Sequence, residues 1–185
     1  MSLQPTLEND RVKLIPLTLD NYHQIAEIAS EPGLVKYSPG FIESSEGLKE
    51  YIMQALKDRD QERAIPFIIY DKKYDAYAGS TRYMQIDRKN KVLHIGATWI
   101  GSAFHGTGLN TAIKSLMLPH AFVEMDFEKV EFRIDERNTA SRKAVEKFGA
   151  SLEGILRKNV YLADGFKRNT CCYGLLREEW NPITT

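Results

Sequence analysis

The chain has 185 residues, 43% of them hydrophobic and 27% charged, which fits about one globular domain and excludes a disordered or fibrous segment. Lys plus Arg and Asp plus Glu number 25 each, so the formal net charge is zero. No basic block marks a phosphate backbone as partner, and nucleic acid is not expected to bind.

Met1 to Thr6 lacks the basic stretch and apolar run of a secretory signal. Arg11 to Pro16 alternates as a first strand. Asp20 is placed to cap a short helix carrying Ile25 and Ile28 inward. Glu31 to Gly40 is irregular. Ser44 or Ser45 can cap a second helix, with Leu48, Ile52 and Leu56 on one face. Three strands follow, Ala64 to Tyr70, Ala76 to Ile86 and Val92 to Ile100, at the spacing of an antiparallel meander.

A glycine-rich turn from Gly101 to Gly108 leads into a helix beginning at Leu109, with Ala112, Ile113, Leu116 and Met117 at helical spacing. Pro119 should kink or end it. Val130, Phe132 and Ile134 alternate with charged residues as a half-buried strand. Asn138 then caps a helix with Ala144, Val145 and Phe148 inward, stopped at Gly149. Two strands, Leu152 to Leu162 and Lys167 to Leu176, meet at Asp164-Gly165. This order predicts one α/β domain over residues 1–185. No apolar run approaches the ~20 residues that span a bilayer, so a cytoplasmic protein without membrane contact is expected. Cys171 and Cys172 are neighbours that a strand points to opposite faces, so buried, reduced thiols are expected.

The chemistry concentrates in His105-Gly106-Thr107-Gly108-Leu109-Asn110-Thr111. Glycines allow a ligand close to the backbone, and the helix start behind them offers unpaired N–H groups and a positive dipole end. The pair forms an anion site suited to phosphate or pyrophosphate. A Walker loop is excluded because Leu109 stands where lysine is required. A dinucleotide fingerprint lacks its third glycine at Thr111 and its βαβ unit. His23, His94, His105 and His120 show no paired ligand spacing, and no metal is expected.

This turn resembles the pyrophosphate loop of the GNAT superfamily of N-acetyltransferases, with His105 in place of the family's Gln or Arg and Asn110 in place of a small residue. Ile95 to Ile100 with Gly106 to Thr111, then Asn138-Thr139-Ala140-Ser141, then the blocks from Lys147 to Trp180, are similar to its RimJ/RimL-like branch. The resemblance implies a mixed, mostly antiparallel sheet flanked by helices, with a central splayed parallel pair formed by Val92–Ile100 and Lys129–Asp135. It implies acetyl-CoA as co-substrate: backbone at Trp99 and Ile100 pairs with the pantetheine, His105 to Thr111 hold the pyrophosphate, and Asn138 and Ser141 touch the pantetheine arm. It implies direct attack of a primary amine, on a small molecule or at a protein or peptide N-terminus, on the thioester. His94 and Asp135 are the candidate bases, Tyr173 and Ser141 the candidate acids. A homodimer is expected on the same ground. Two alternatives stay open: a coenzyme A-binding module without turnover, and a dinucleotide-binding protein.

Overall fold

In the computed structural model, which describes residues 4–181, the elements run β1 (Leu7–Glu8), β2 (Val12–Pro16), α1 (Ala26–Ala29), α2 (Ser45–Asp60), β3 (Ala64–Asp71), β4 (Ala76–Asp87) and β5 (Val92–Ile100). They continue with α3 (Leu109–Pro119), β6 (Lys129–Asp135), α4 (Thr139–Glu146), β7 (Ser151–Tyr161) and β8 (Lys167–Leu176). All eight strands join one sheet in the order β1-β2-β3-β4-β5-β6-β8-β7. Every neighbouring pair is antiparallel except β5 and β6. This is the mixed sheet with one parallel pair that the resemblance implies.

Strand alternation sorts the apolar side chains onto two faces. Ile65, Phe67 and Ile69 of β3, with Leu93 and Ile95 of β5 and Val130 and Phe132 of β6, pack against Leu109, Ile113 and Met117 of α3 and Val145 of α4. Ile68 and Trp99 turn to the other face, against Leu48, Ile52 and Leu56 of α2 and Ile25. A central strand covered on both faces reads as a continuous apolar run, as Ala64 to Ile69 does.

The helix boundaries follow local chemistry. The Ser44 side chain accepts from the Gly47 N–H and starts α2. Asn138 does the same for α4 by accepting from the Ser141 N–H at 3.1 Å. Asp20, by contrast, caps nothing. Tyr22–Ile25 is a 3-10 turn preceded by Asn21, whose amide instead bonds the Thr18 N–H and the Pro16 carbonyl. At Pro119 the α-helix gives way to a π-type turn over His120–Glu124, because proline cannot extend the ladder. Cys171 is buried, but Cys172 is only half-buried, since it points to the opposite sheet face. Ala144 is likewise half-buried at the margin of α4.

Candidate active site

The ladder between β5 and β6 has three rungs: Val92 with Lys129, Leu93 with Val130, and His94 with Glu131. Beyond them the strands part. One cause is in β5 itself: Ser80 faces Trp99 while Arg82 faces Gly96, so β5 carries an extra residue there. Ala97 absorbs it with φ 48°, a β-bulge that bends the strand away. The gap therefore exposes backbone edges of Gly96 to Ile100 and Phe132 to Asp135 that form no ladder bonds with each other.

At the mouth of the gap lies the glycine turn. Gly106 and Gly108 have φ of 73° and 84°, and a Cβ added at either would meet no atom within 4 Å. Gly108 stands at the cap of α3 with no side chain bonding the first N–H groups, so they remain available to an anion. His105 shapes this turn, its Nε2 lying 2.9 Å from the Ile100 carbonyl oxygen. The Thr107 hydroxyl donates to the Phe104 carbonyl at 2.8 Å. Leu109 and Trp99 are buried in the two cores, so each can offer a ligand only backbone. Thr111 is exposed, and the Asn110 side-chain oxygen is buried with no hydrogen-bond partner.

His94 sits in the crotch of the fork. Its Nε2 is 2.7 Å from Glu131 Oε2, and its side chain is 9% exposed. Burial drives the imidazole below its ordinary pKa of 6.5; Arg133 and Lys129 push the same way and Glu131 opposes them. Burial would raise the Glu131 carboxyl, but Lys129, His94 and Arg133 outweigh it and hold the group ionised. With Nε2–H donated to Glu131, Nδ1 carries the lone pair.

Of the other predicted catalytic side chains, Asp135 and Tyr173 are hydrogen-bonded to neighbouring residues. Asp135 accepts from the Arg137 backbone N–H at 2.9 Å and from its Nε and Nη2 at 3.0 and 2.8 Å. Burial would raise its pKa, but Arg137 prevails and keeps it low. Tyr173 is 1% exposed. Its hydroxyl donates to Glu146 at 2.6 Å and accepts from Arg142 at 3.0 Å, on the α4 side of the sheet. Asn138 and Ser141 stand together at the start of α4. Among the described residues no group of His, Cys, Asp and Glu could hold a metal, and no helix is long and apolar enough to cross a membrane.

Three residues that the motifs do not mark belong to this region. Glu131 pairs with His94. Tyr51 of α2 donates to the Ala97 carbonyl at 3.3 Å and accepts from Trp99 Nε1 at 3.3 Å, bracing the bulge. Arg82 lies under the Tyr51 ring, its guanidinium carbon 4.4 Å from the centroid. Glu131 reads as one more solvent-facing charge of an alternating strand, and its partner is 37 residues away along the chain.

The sheet is forked at its single parallel pair, with the glycine turn and an uncapped helix start at the mouth. The acetyltransferase (GNAT) domain family matches residues 11–151, and the chain belongs to that family. It is 29% identical over 113 residues to YdaF of Bacillus subtilis, provisionally named a ribosomal N-acetyltransferase; the match covers 61% of this chain and 59% of that protein. Among solved structures, one provisionally titled an acetyltransferase superposes with a TM-score of 0.82 at 30% identity, over 95% of this chain and 88% of that one. Mycobacterium smegmatis RimJ, solved with CoA-disulfide, superposes with a TM-score of 0.80 at 20% identity over 95% and 88% of the two chains.

Proposed function

We propose that the chain is an N-acetyltransferase of the RimJ/RimL-like branch, moving an acetyl group from acetyl-CoA to a primary amine. The observation that carries this reading is the His94–Glu131 pair at the crotch of the fork, at 2.7 Å, with the glycine turn at its mouth. The open Cβ positions at Gly106 and Gly108 and the uncapped α3 start fit a pyrophosphate. The backbone edges of the gap fit the amides of a pantetheine arm. The solved complex of RimJ with CoA-disulfide supports the same ligand. Residues 1–185 act as one acetyltransferase domain in this reading.

Acetyl-CoA supplies an activated thioester. The chain's own task is to hold the amine beside it and to receive a proton. His94 Nδ1 accepts that proton as the amine nitrogen forms its bond to carbon and the sulfur leaves. Glu131 fixes the ring and stabilises the imidazolium that results. The Asn138 and Ser141 pair at α4 steadies the pantetheine arm. Asp135 and Tyr173 serve as structural anchors. The acceptor is a small amine or a protein or peptide N-terminus, whose amine, with pKa of about 7.7–8.0, is easily neutral.

Acetyl-CoA at a hundred times its dissociation constant should stabilise the fold by about 2.7 kcal/mol, read as a higher melting temperature. Thiol release across dipeptides, polyamines, aminoglycosides and free amino acids tests turnover. Stabilisation with no thiol release from any amine would reduce the chain to a coenzyme A-binding module.

Gly108→Val should weaken acetyl-CoA binding well beyond its effect on folding. The fold loses about 1–2 kcal/mol because a residue with a Cβ is strained at φ 84°. The branched side chain then fills the space where phosphate oxygens approach the helix start. Calorimetric affinity with a parallel melt separates the two effects, and normal affinity would make Gly108 a turn glycine only.

A further inference from the structure

Arg82 is the guanidinium of this region that the fold leaves without a partner. It stands on β4 opposite Gly96 and is 6% exposed. Its Nε and Nη2 are buried with no hydrogen-bond partner. Its contact is the Tyr51 ring, 4.4 Å from the guanidinium carbon, and Tyr51 itself is half-buried. Other guanidiniums are treated differently. Arg168, 8% exposed, donates to Thr170 Oγ1 and to the Tyr37 carbonyl. Arg137 is paired with Asp135. A cation removed from water with its N–H groups unmet is costly, far more so than a paired one.

The position of Arg82 indicates what meets it. The phosphate-binding turn leads into α3, on one face of the sheet, and a second substrate must reach the fork from the other. Arg82, beneath Tyr51 of α2, and His94, beside Glu131, are both on that second face. Arg82 faces Gly96, two residues beyond His94 on β5. Strand geometry puts their α-carbons about 8 Å apart, one strand over and two residues along. One molecule can therefore present an amine to His94 and an anion to Arg82.

We infer that Arg82 receives a carboxylate of the acceptor, so that the preferred amines carry a carboxylate a few bonds from the nitrogen. The inference rests on the acetyltransferase reading. A guanidinium offers paired N–H groups that match two carboxylate oxygens. A single negative charge neutralises the single unpaired cation. A phosphate dianion would carry one negative charge more than this lone guanidinium neutralises.

The test measures kcat/KM for acceptor pairs that differ by one carboxylate: glutamate against glutamine, aspartate against its α-amide, and Ala-Asp-amide against Ala-Asn-amide. Wild type is compared with Arg82→Lys and Arg82→Met. In at least one pair the carboxylate member should be preferred by about 10- to 100-fold in the wild type, from charge-assisted bonding. Arg82→Met should erase that preference through KM, so that the two members of the pair react alike, while Arg82→Lys keeps part of it. No preference in any pair overturns the inference. So does an equal fall in kcat for both members of a pair, which would assign the charge to the chemical step. The wild-type preference stands as evidence if Arg82→Met does not fold. If no amine is acetylated, the acetyl-transfer reading fails separately. The subsite is then read from saturable thermal stabilisation by acetyl-Ala-Asp-amide over acetyl-Ala-Asn-amide, and equal stabilisation by the two overturns it.

Discussion

His94→Ala should lower turnover by roughly 10²–10⁴-fold while leaving acetyl-CoA affinity nearly unchanged. The imidazole stands where β5 and β6 part, away from the glycine turn, so its loss removes a proton acceptor and no phosphate contact. The pH dependence carries the sharper signature. A base works when neutral, and burial holds His94 below the ordinary imidazole pKa of 6.5. The rate should therefore be on its plateau at pH 7 and fall as pH drops through a value below 6.5. Glu131 raises the His94 pKa against the effect of burial. Glu131→Gln should move that limb to still lower pH, and a variant acting through general disorder would not. Wild-type turnover and an unchanged pH profile in His94→Ala would place the base elsewhere, or leave the amine to arrive already neutral.

Lys114→Met should stabilise the protein by up to about 3 kcal/mol at pH 7. Lys114 of α3 is 5% exposed, faces the sheet, and has the Thr98 hydroxyl 3.5 Å away as its hydrogen-bond partner. Burial depresses its pKa from 10.5 to about 8. The sign follows from linkage: the unfolded chain takes up a proton at higher pH than the fold does. The fold is penalised increasingly as pH falls from 10.5 towards 8, and the penalty is complete below that. Methionine has similar length and no charge to desolvate. The gain should shrink as pH rises above 8 and vanish near 10.5, which paired chemical-denaturation curves at several pH values would show. A variant no more stable than wild type at pH 7 would mean that the ammonium is solvated within the fold.

Much of this architecture was legible because local chemistry and tertiary packing agree. Ala64 to Ile69 alternates between two apolar faces, Ser44 and Asn138 occupy true caps, and Val92 to Ile100 is a strand at the predicted bounds. The glycine turn was legible for the same reason, since Gly106 and Gly108 take backbone angles that glycine favours. Asp20 misled because aspartate is a good cap in isolation, whereas Asn21 beside it is drawn into bonds with Thr18 and Pro16. Asp135 and Tyr173 stand at plausible places on strands, yet their partners, Arg137, Arg142 and Glu146, decide their roles. His94 was legible as a strand histidine near the site. Its carboxylate was not, because pairing across a crossover leaves no spacing signal. Arg82 and Tyr51 were hidden for a like reason: a cation over a ring on a distant helix has no motif.

The three rungs between β5 and β6 have a mechanical consequence. On one side lie β1 to β5, on the other β6, β8 and β7, each block tightly laddered within itself. Past His94 the blocks are joined by side-chain packing, with Leu109, Ile113, Phe132 and Tyr173 in one shared core. Hydrogen-bond ladders fix register because each bond has a direction, whereas apolar packing fixes separation through close contact. The three rungs therefore set the alignment of the two blocks, and the shared core above them sets how wide the fork stands.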